Sequence, residues 1–317
     1  MKIAVLEPLG LSKEALETYL APLKEAGHTV TAYFDKAADT AEFIRRTADN
    51  DIIVIANTPY PKEAVLAAPS LKLIDVAFTG VDHVPLETCR EKGVRVVNAA
   101  GYSTSAVAEL ALGMAVACLR KFPQGNAAVN NGGTSTGLMG TEIAGKTVGI
   151  LGTGTIGIYA AKLFLAFGAE VIAYSRTERE EAKKLGIRYV SLEELFKESD
   201  IVSVHVPSNK ETKKLVSRRL IESMKKSAVL INTARGVVVD NEALAEALRA
   251  GDLAAAGIDV FDTEPPLSAD YCLVNCPNLV PMPHVGFLTA ESMQRRAKIV
   301  FENIEAYLKG EPQNICV

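Results

Sequence analysis

The sequence predicts an α/β protein of two doubly wound parallel-sheet domains with an interdomain cleft. Two observations carry this expectation. Short apolar runs alternate with amphipathic stretches along almost all of the 317 residues, and one long helical stretch followed by a polar segment interrupts the alternation near the middle. A chain of this length is about twice the usual ~150-residue domain, which agrees with two such units.

The first series of strand-like runs is Lys2–Leu6, Thr29–Phe34, Ile52–Ala56, Leu71–Ala77 and Val94–Asn98. The second is Thr147–Leu151, Glu170–Tyr174, Ile201–Val206, Ala228–Asn232, Ala255–Val260 and Leu279–Met282. Runs that are apolar throughout suit strands buried on both faces, as in a parallel sheet. The intervening stretches, among them Lys13–Glu25, Leu86–Lys92, Ile156–Phe167, Leu192–Glu198, Arg218–Met224 and Asn241–Arg249, read as the crossover helices. Each series is therefore a Rossmann-like or flavodoxin-like unit. Between them Ser103–Phe122 reads as a long linking helix, and Asn126–Gly140, rich in Gly, Asn, Thr and Ser, as an irregular arm. The final stretch, Thr289–Leu308, is expected to return to the first unit.

Composition narrows the function classes. Hydrophobic residues at 48% and charged residues at 23% exclude a disordered chain. A net charge of −4 without like-charge runs speaks against nucleic acid or a membrane surface as partner. Five cysteines, Cys89, Cys118, Cys272, Cys276 and Cys316, form no Cys-x-x-Cys pair, so reduced thiols are expected rather than a metal site or disulfides. The start of the chain is too weakly apolar for a signal peptide, and Ala106–Leu119 is too short to span a bilayer. A cytoplasmic protein is the expectation.

The sharpest motif is Gly152-Thr153-Gly154-Thr155-Ile156-Gly157, directly after one strand-like run and opening an apolar helix. In that context it signals a dinucleotide site. The first glycine allows a tight turn, the second lets backbone approach a pyrophosphate, and the third lets helix and strand pack closely. The next strand ends Tyr174-Ser175-Arg176-Thr177, without the acid that usually binds the ribose hydroxyls. Ser175 and Arg176 suit a 2′-phosphate, which tips the expectation from NAD(H) toward NADP(H). The alternative is that Arg176 stacks on adenine or is merely solvated.

Of four histidines, His28 reads as solvated and His83 as either a turn or a site residue. His205 ends a strand near the expected cofactor. His284, in Pro283-His284-Val285-Gly286 at another strand end, is the best general acid/base candidate. Arg235 and Glu264 also follow apolar runs of the second series. The carboxyl ends of strands in an open parallel sheet face the ligand crevice, so these three side chains converge at one edge.

With these motifs the chain resembles the D-isomer-specific 2-hydroxyacid dehydrogenases over essentially its whole length. The resemblance rests on Gly80-Val81-Asp82, Val107-Ala108-Glu109, Gly152–Gly157, Met224-Lys225 through Asn232-Thr233-Ala234-Arg235-Gly236, Ala256-Gly257-Ile258-Asp259-Val260, Glu264-Pro265 and Pro283-His284-Val285-Gly286. It implies Arg235, Glu264 and His284 as the catalytic set. It implies cofactor contacts from Gly152, Gly154, Thr155, Ile156, Gly157, Ser175, Arg176, Thr177, His205, Val206, Pro207, Thr212, Thr233, Ala234, Asp259 and Thr104, with Asp259 on the nicotinamide carboxamide. Substrate would be held by Phe78, Thr79, Gly80 and Val81, through backbone N–H groups, and by Arg235 and His284. It further implies a substrate-binding domain of 1–98 plus 287–317, a dinucleotide-binding domain of 99–286, no metal, and a homodimer formed through the linking helix and arm.

The expected reaction is reduction of a small or apolar 2-oxo acid to its (R)-2-hydroxy acid, with His284 giving the proton and Glu264 orienting and charging its imidazole. A carboxylate at Glu264 disfavours the related formate dehydrogenases, where Gln takes that place. Phe287-Leu288 stand where many relatives carry small residues, which makes the pocket more apolar or narrower; Phe78 and Tyr60 are further candidates to line it. Few basic residues accompany these loops, so a phosphorylated substrate is disfavoured, and little chain remains after the last helix for a regulatory domain. A catalytically weak, dinucleotide-sensing binding protein of the same fold is the alternative.

Overall fold

The computed structural model describes residues 1–263 and 265–317. The chain divides into two compact units, Met1–Ser103 with Leu288–Val317, and Thr104–Phe287.

The first unit holds a parallel sheet of β1 (Lys2–Val5), β2 (Thr29–Ala32), β3 (Ile52–Ile55), β4 (Leu73–Val76) and β5 (Arg95–Asn98). Their order is β2-β1-β3-β4-β5, the flavodoxin-like arrangement. Every residue of β3 and β4 is buried, as expected for strands covered on both faces, whereas edge strand β2 alternates between exposed and half-buried residues. The helix Lys13–Glu25 starts where Ser12 accepts the N–H of Ala15. The helix Ala290–Leu308, opened by a Thr289–Ser292 capping box, packs on β4 and on Lys13–Glu25. The C-terminal tail then runs along β5: Asn98 N–H donates to Asn314 O at 3.1 Å and Val96 N–H to Val317 O at 3.0 Å, which covers that sheet edge.

The second unit holds β6 (Thr147–Leu151), β7 (Glu170–Tyr174), β8 (Arg188–Tyr189), β9 (Ile201–Val204), β10 (Val229–Asn232), β11 (Ala255–Ile258) and β12 (Leu279–Pro281), all parallel, in the order β12-β11-β10-β9-β6-β7-β8. The order reverses between β6 and β9, where a dinucleotide crevice opens in such sheets. The linking helix Thr104–Leu119 is apolar on most of its circumference and packs on the helix Thr155–Ala166 and on β10 and β11. One expectation is corrected: Asn126–Gly140 is not irregular throughout, because Phe122–Asn130 forms a helix. Pro123 near its start suits a first helical turn, and the helix buries none of its own residues, so no apolar stripe announces it. Among the described residues all five cysteines are free, and burial pushes the Cys118 thiol up to about 12.

Asp75 stands in the middle of β4, fully buried, with Oδ1 accepting from Asn303 Nδ2 at 3.3 Å. Burial holds its carboxyl well above the ordinary range. An acid with a raised folded-state pKa gives its full stability below the unfolded pKa of about 4, and that contribution is lost as pH rises toward the folded value. Asp75→Asn keeps the shape and removes the titration. Thermal unfolding at about pH 5 and about pH 8 should therefore show a smaller fall in Tm for the variant than for the parent chain; equal falls would contradict this account of Asp75.

Candidate active site

In each unit the candidate residues stand at strand ends. In the second unit the turn after β6 carries Gly152 at φ +98°, and a Cβ there would lie 2.8 Å from His205 O. A Cβ on Gly157 would sit 1.9 Å from Gly152 O, so the helix Thr155–Ala166 can approach the strand only with glycine at that place. Gly154 differs: no atom lies within 4 Å of where its Cβ would be, and it starts the helix with no side-chain cap. An uncapped helix start beside open space is what a pyrophosphate requires. Thr153, almost fully buried, accepts from Tyr189 Oη at 2.8 Å, while Arg179 N–H donates to that same Oη at 2.9 Å. Tyr189 thus ties the glycine turn to the loop after β7, a role hidden from sequence reading because β8 is only two residues long.

In that loop Ser175 is half-buried and Thr177 exposed; Arg176, two-thirds exposed, donates to the Glu211 carboxylate. A 2′-phosphate on Arg176 has to compete with Glu211 for the guanidinium. After β9, His205 Nε2 meets Ser203 Oγ at 2.8 Å, and burial of the ring pushes its pKa down to about 4. His205 is a neutral packing group against Gly157, with no proton to give near neutral pH. Beyond Val206 and Pro207, Thr212 Oγ1 donates to Pro207 O at 2.6 Å and accepts from Asn209 N–H at 2.9 Å, closing the loop on itself.

The loop after β10 is organised by Asn232. Its Oδ1 accepts Ala234 N–H at 3.0 Å and its Nδ2 donates to Arg235 O at 3.0 Å. Asn ahead of a turn is a readable signal for this. Thr233 Oγ1 is buried without a hydrogen-bond partner among the described residues, so it is available to a ligand. Arg235 Nη1 donates to Ala234 O at 2.9 Å. A Cβ on Gly236 would fall 1.9 Å from the Phe261 carbonyl carbon, so this loop and the one after β11 touch backbone to backbone.

His284 follows β12 with φ +56°, a left-handed conformation rare for a residue with a side chain. Asp259, buried after β11, enforces it. Its carbonyl accepts His284 N–H, Oδ1 accepts Val285 N–H and Oδ2 accepts Gly286 N–H, each at 2.8 Å. A Cβ on Gly286 would lie 2.9 Å from Oδ2. The Phe287 ring stands edge-on to the imidazole, centroids 5.5 Å apart. Strands β9 to β12 are neighbours and parallel, so His205, Arg235, Asp259 and His284 all lie along one edge of the sheet. Glu264 lies outside the described residues. Thr104 is half-buried at the start of the linking helix.

In the first unit the Phe78–Val81 loop follows β4. Phe78 O accepts Ala99 N–H, Thr79 O accepts Asn98 Nδ2 and Val81 O accepts Val84 N–H. Among the described residues the N–H groups of Thr79, Gly80 and Val81 find no acceptor, which leaves successive donors for an anion. The side chains of Phe78 and Tyr60 are buried, the latter with its hydroxyl on Thr47 Oγ1 at 2.7 Å, so neither ring is a surface of this loop.

Residues 112–286 match the family model described as D-isomer specific 2-hydroxyacid dehydrogenase, NAD binding domain. The chain belongs to this family. As a 2-hydroxyacid dehydrogenase it is an oxidoreductase whose second unit binds a nicotinamide dinucleotide. It is 37% identical over 288 residues to a hydroxypyruvate reductase of Thermotoga maritima, covering 90% of this chain and 92% of that one. It is 37% identical over 291 residues to a glyoxylate reductase of Thermococcus litoralis, covering 88% and 87%. A solved D-lactate dehydrogenase of Aquifex aeolicus, complexed with NAD and lactic acid, superposes with a TM-score of 0.88 at 29% identity over 100% of this chain and 99% of that one. No helix among the described residues is long and apolar enough to cross a membrane.

The glycine turn of the dehydrogenase separates binding from folding. Gly154→Ala should leave Tm unchanged and weaken dinucleotide affinity by about tenfold or more, whereas Gly157→Ala should lower Tm itself. Calorimetric titration and thermal unfolding of the two variants check this; a Gly154→Ala variant with native affinity would move the pyrophosphate elsewhere.

Proposed function

We propose that this dehydrogenase reduces a small or apolar 2-oxo acid to the (R)-2-hydroxy acid with NADPH or NADH, His284 acting as general acid. The observation that carries the reading is His284 itself, fixed in a left-handed backbone at the sheet edge by three hydrogen bonds to Asp259. The substrate carboxylate is held by the N–H groups of the Phe78–Val81 loop and by Arg235. Arg235 also faces the ketone oxygen, where negative charge develops. When bound, the reduced nicotinamide supplies a hydride. His284 gives its Nδ1 or Nε2 proton to the new alkoxide oxygen. In the oxidation direction His284 takes that proton back. The apolar ring of Phe287 beside the imidazole supports small or apolar acids, such as glyoxylate, hydroxypyruvate, pyruvate or a branched or aromatic analogue. The names of the reductase relatives agree with the smaller of these.

Two finer points belong to the same reading. Arg176 and Ser175 in place of a ribose-binding acid favour NADPH. The exposed Phe122, Val129 and Met139, at 57%, 76% and 89%, lie on the helix Phe122–Asn130 and the segment after it. These apolar side chains suit a second copy of the chain, giving a homodimer.

Initial rates of NADH and NADPH oxidation against about a dozen 2-oxo acids test the proposal; the absence of Trp makes absorbance the simple signal. Turnover with at least one unphosphorylated acid is expected, faster with NADPH. Dinucleotide binding without turnover of any acid would instead support a sensing protein. Light scattering should give twice the 33.9 kDa chain mass, and a monomer would remove the dimer.

A further inference from the structure

We propose that Arg296, acting with Glu7, is a positioning residue for the Phe78–Val81 loop and sets the affinity for the substrate carboxylate; this rests on the 2-oxo acid reading above. The strand order of the first unit reverses between β1 and β3, the place where a sheet of this type leaves a ligand crevice at its carboxyl edge. Here protein side chains fill that place. Glu7, directly beyond β1, is fully buried, and its Oε2 accepts Ala56 N–H, just beyond β3, at 2.5 Å. Its Oε1 has no hydrogen-bond partner among the described residues.

A buried basic side chain comes from the last helix. Arg296 is 3% exposed, and its Nη2 donates to Leu9 O at 2.5 Å. Its guanidinium carbon lies 5.2 Å from the Phe78 ring centroid and 5.9 Å from that of Tyr102, and the two rings meet edge to face at 5.9 Å. Burial pushes the guanidinium pKa down, while Tyr102 and then Glu7 favour its charged form. A buried guanidinium is a poor way to gain stability, since apolar side chains of similar volume serve as well or better. What the guanidinium does that an apolar side chain cannot is grip the Phe78 ring through its π face and place positive charge behind the loop.

The loop is fixed at both ends to this group. At its start stands Phe78, against Arg296. At its far end His83 Nε2 meets Ala56 O at 2.8 Å, so the residue that binds Glu7 through its N–H also holds His83 through its carbonyl. Between the two anchors lie the N–H groups of Thr79, Gly80 and Val81 that await an anion. Moving Phe78 therefore moves those donors while leaving the hydride and proton chemistry of the second unit alone.

The test uses Arg296→Met, which keeps length and apolar packing, and the double variant Glu7→Gln/Arg296→Met, which leaves no buried orphan carboxylate. Steady-state kinetics with the best 2-oxo acid should show KM raised about tenfold or more in both, with kcat changed far less, and NADPH affinity unmoved. Arg296→Lys should recover part of the loss. Calorimetry with oxamate in the presence of NADPH should show the same weakening without relying on turnover. Variants that fold and keep native KM and native oxamate affinity would overturn the inference alone. A parent enzyme that neither turns over any 2-oxo acid nor binds oxamate would overturn the dehydrogenase reading, and this inference with it.

Discussion

The carboxylate of Asp259 is the constraint on which the candidate site depends. One buried side chain receives two backbone N–H groups from the segment after β12, and its own carbonyl receives a third. Two backbone N–H groups on its side-chain oxygens and a third on its carbonyl together hold His284 in a backbone conformation that an unconstrained residue avoids. Strand pairing carries the constraint further, because Asp259 N–H donates to Asn232 O at 3.0 Å and Asn232 in turn shapes the loop of Arg235. His284 and Arg235 are thus registered to each other through backbone rather than through flexible side chains.

Close backbone approach is the second theme of the fold. The glycines at 152, 157, 236 and 286 each stand where a Cβ would strike a named atom, and three of the four lie where one strand-end loop meets another. Gly154 alone in the turn faces open space. The contrast divides the motif physically: two glycines let the protein pack on itself, and one borders open space. The first unit uses the same architecture differently. Beyond its switch point stand the buried side chains of Glu7 and Arg296, and the adjoining loop carries the N–H groups of Thr79, Gly80 and Val81.

Much of this was legible in sequence for physical reasons that vary by element. Thr147–Leu151 lies between Gly145 and Gly152, Glu170–Tyr174 follows Gly168, and the limits of both match the strands seen. Lys13–Glu25 is bounded by its Ser12 cap and matches likewise. The helix Phe122–Asn130 escaped because it has neither an apolar stripe nor good helix formers at Gly125 and Asn126. Strand β8 was too short to show any period. At the site, His284 and Arg235 stood out as polar residues at strand ends. The Asp259 clamp did not, since its acceptors meet N–H groups 26 and 27 residues away that only strand pairing brings near. Arg296 was hidden as well: it sits in a run of polar residues that reads as a solvated helix face, yet it is buried while Lys298, two residues on, is 69% exposed.

The most direct measurement is a double-mutant cycle on kcat/KM with Asp259→Asn and His284→Ala. If Asp259 acts by holding His284, each single variant loses on the order of 100-fold or more, and the double variant is no worse than either. Near-native turnover in Asp259→Asn, or losses that multiply in the double variant, would contradict the account.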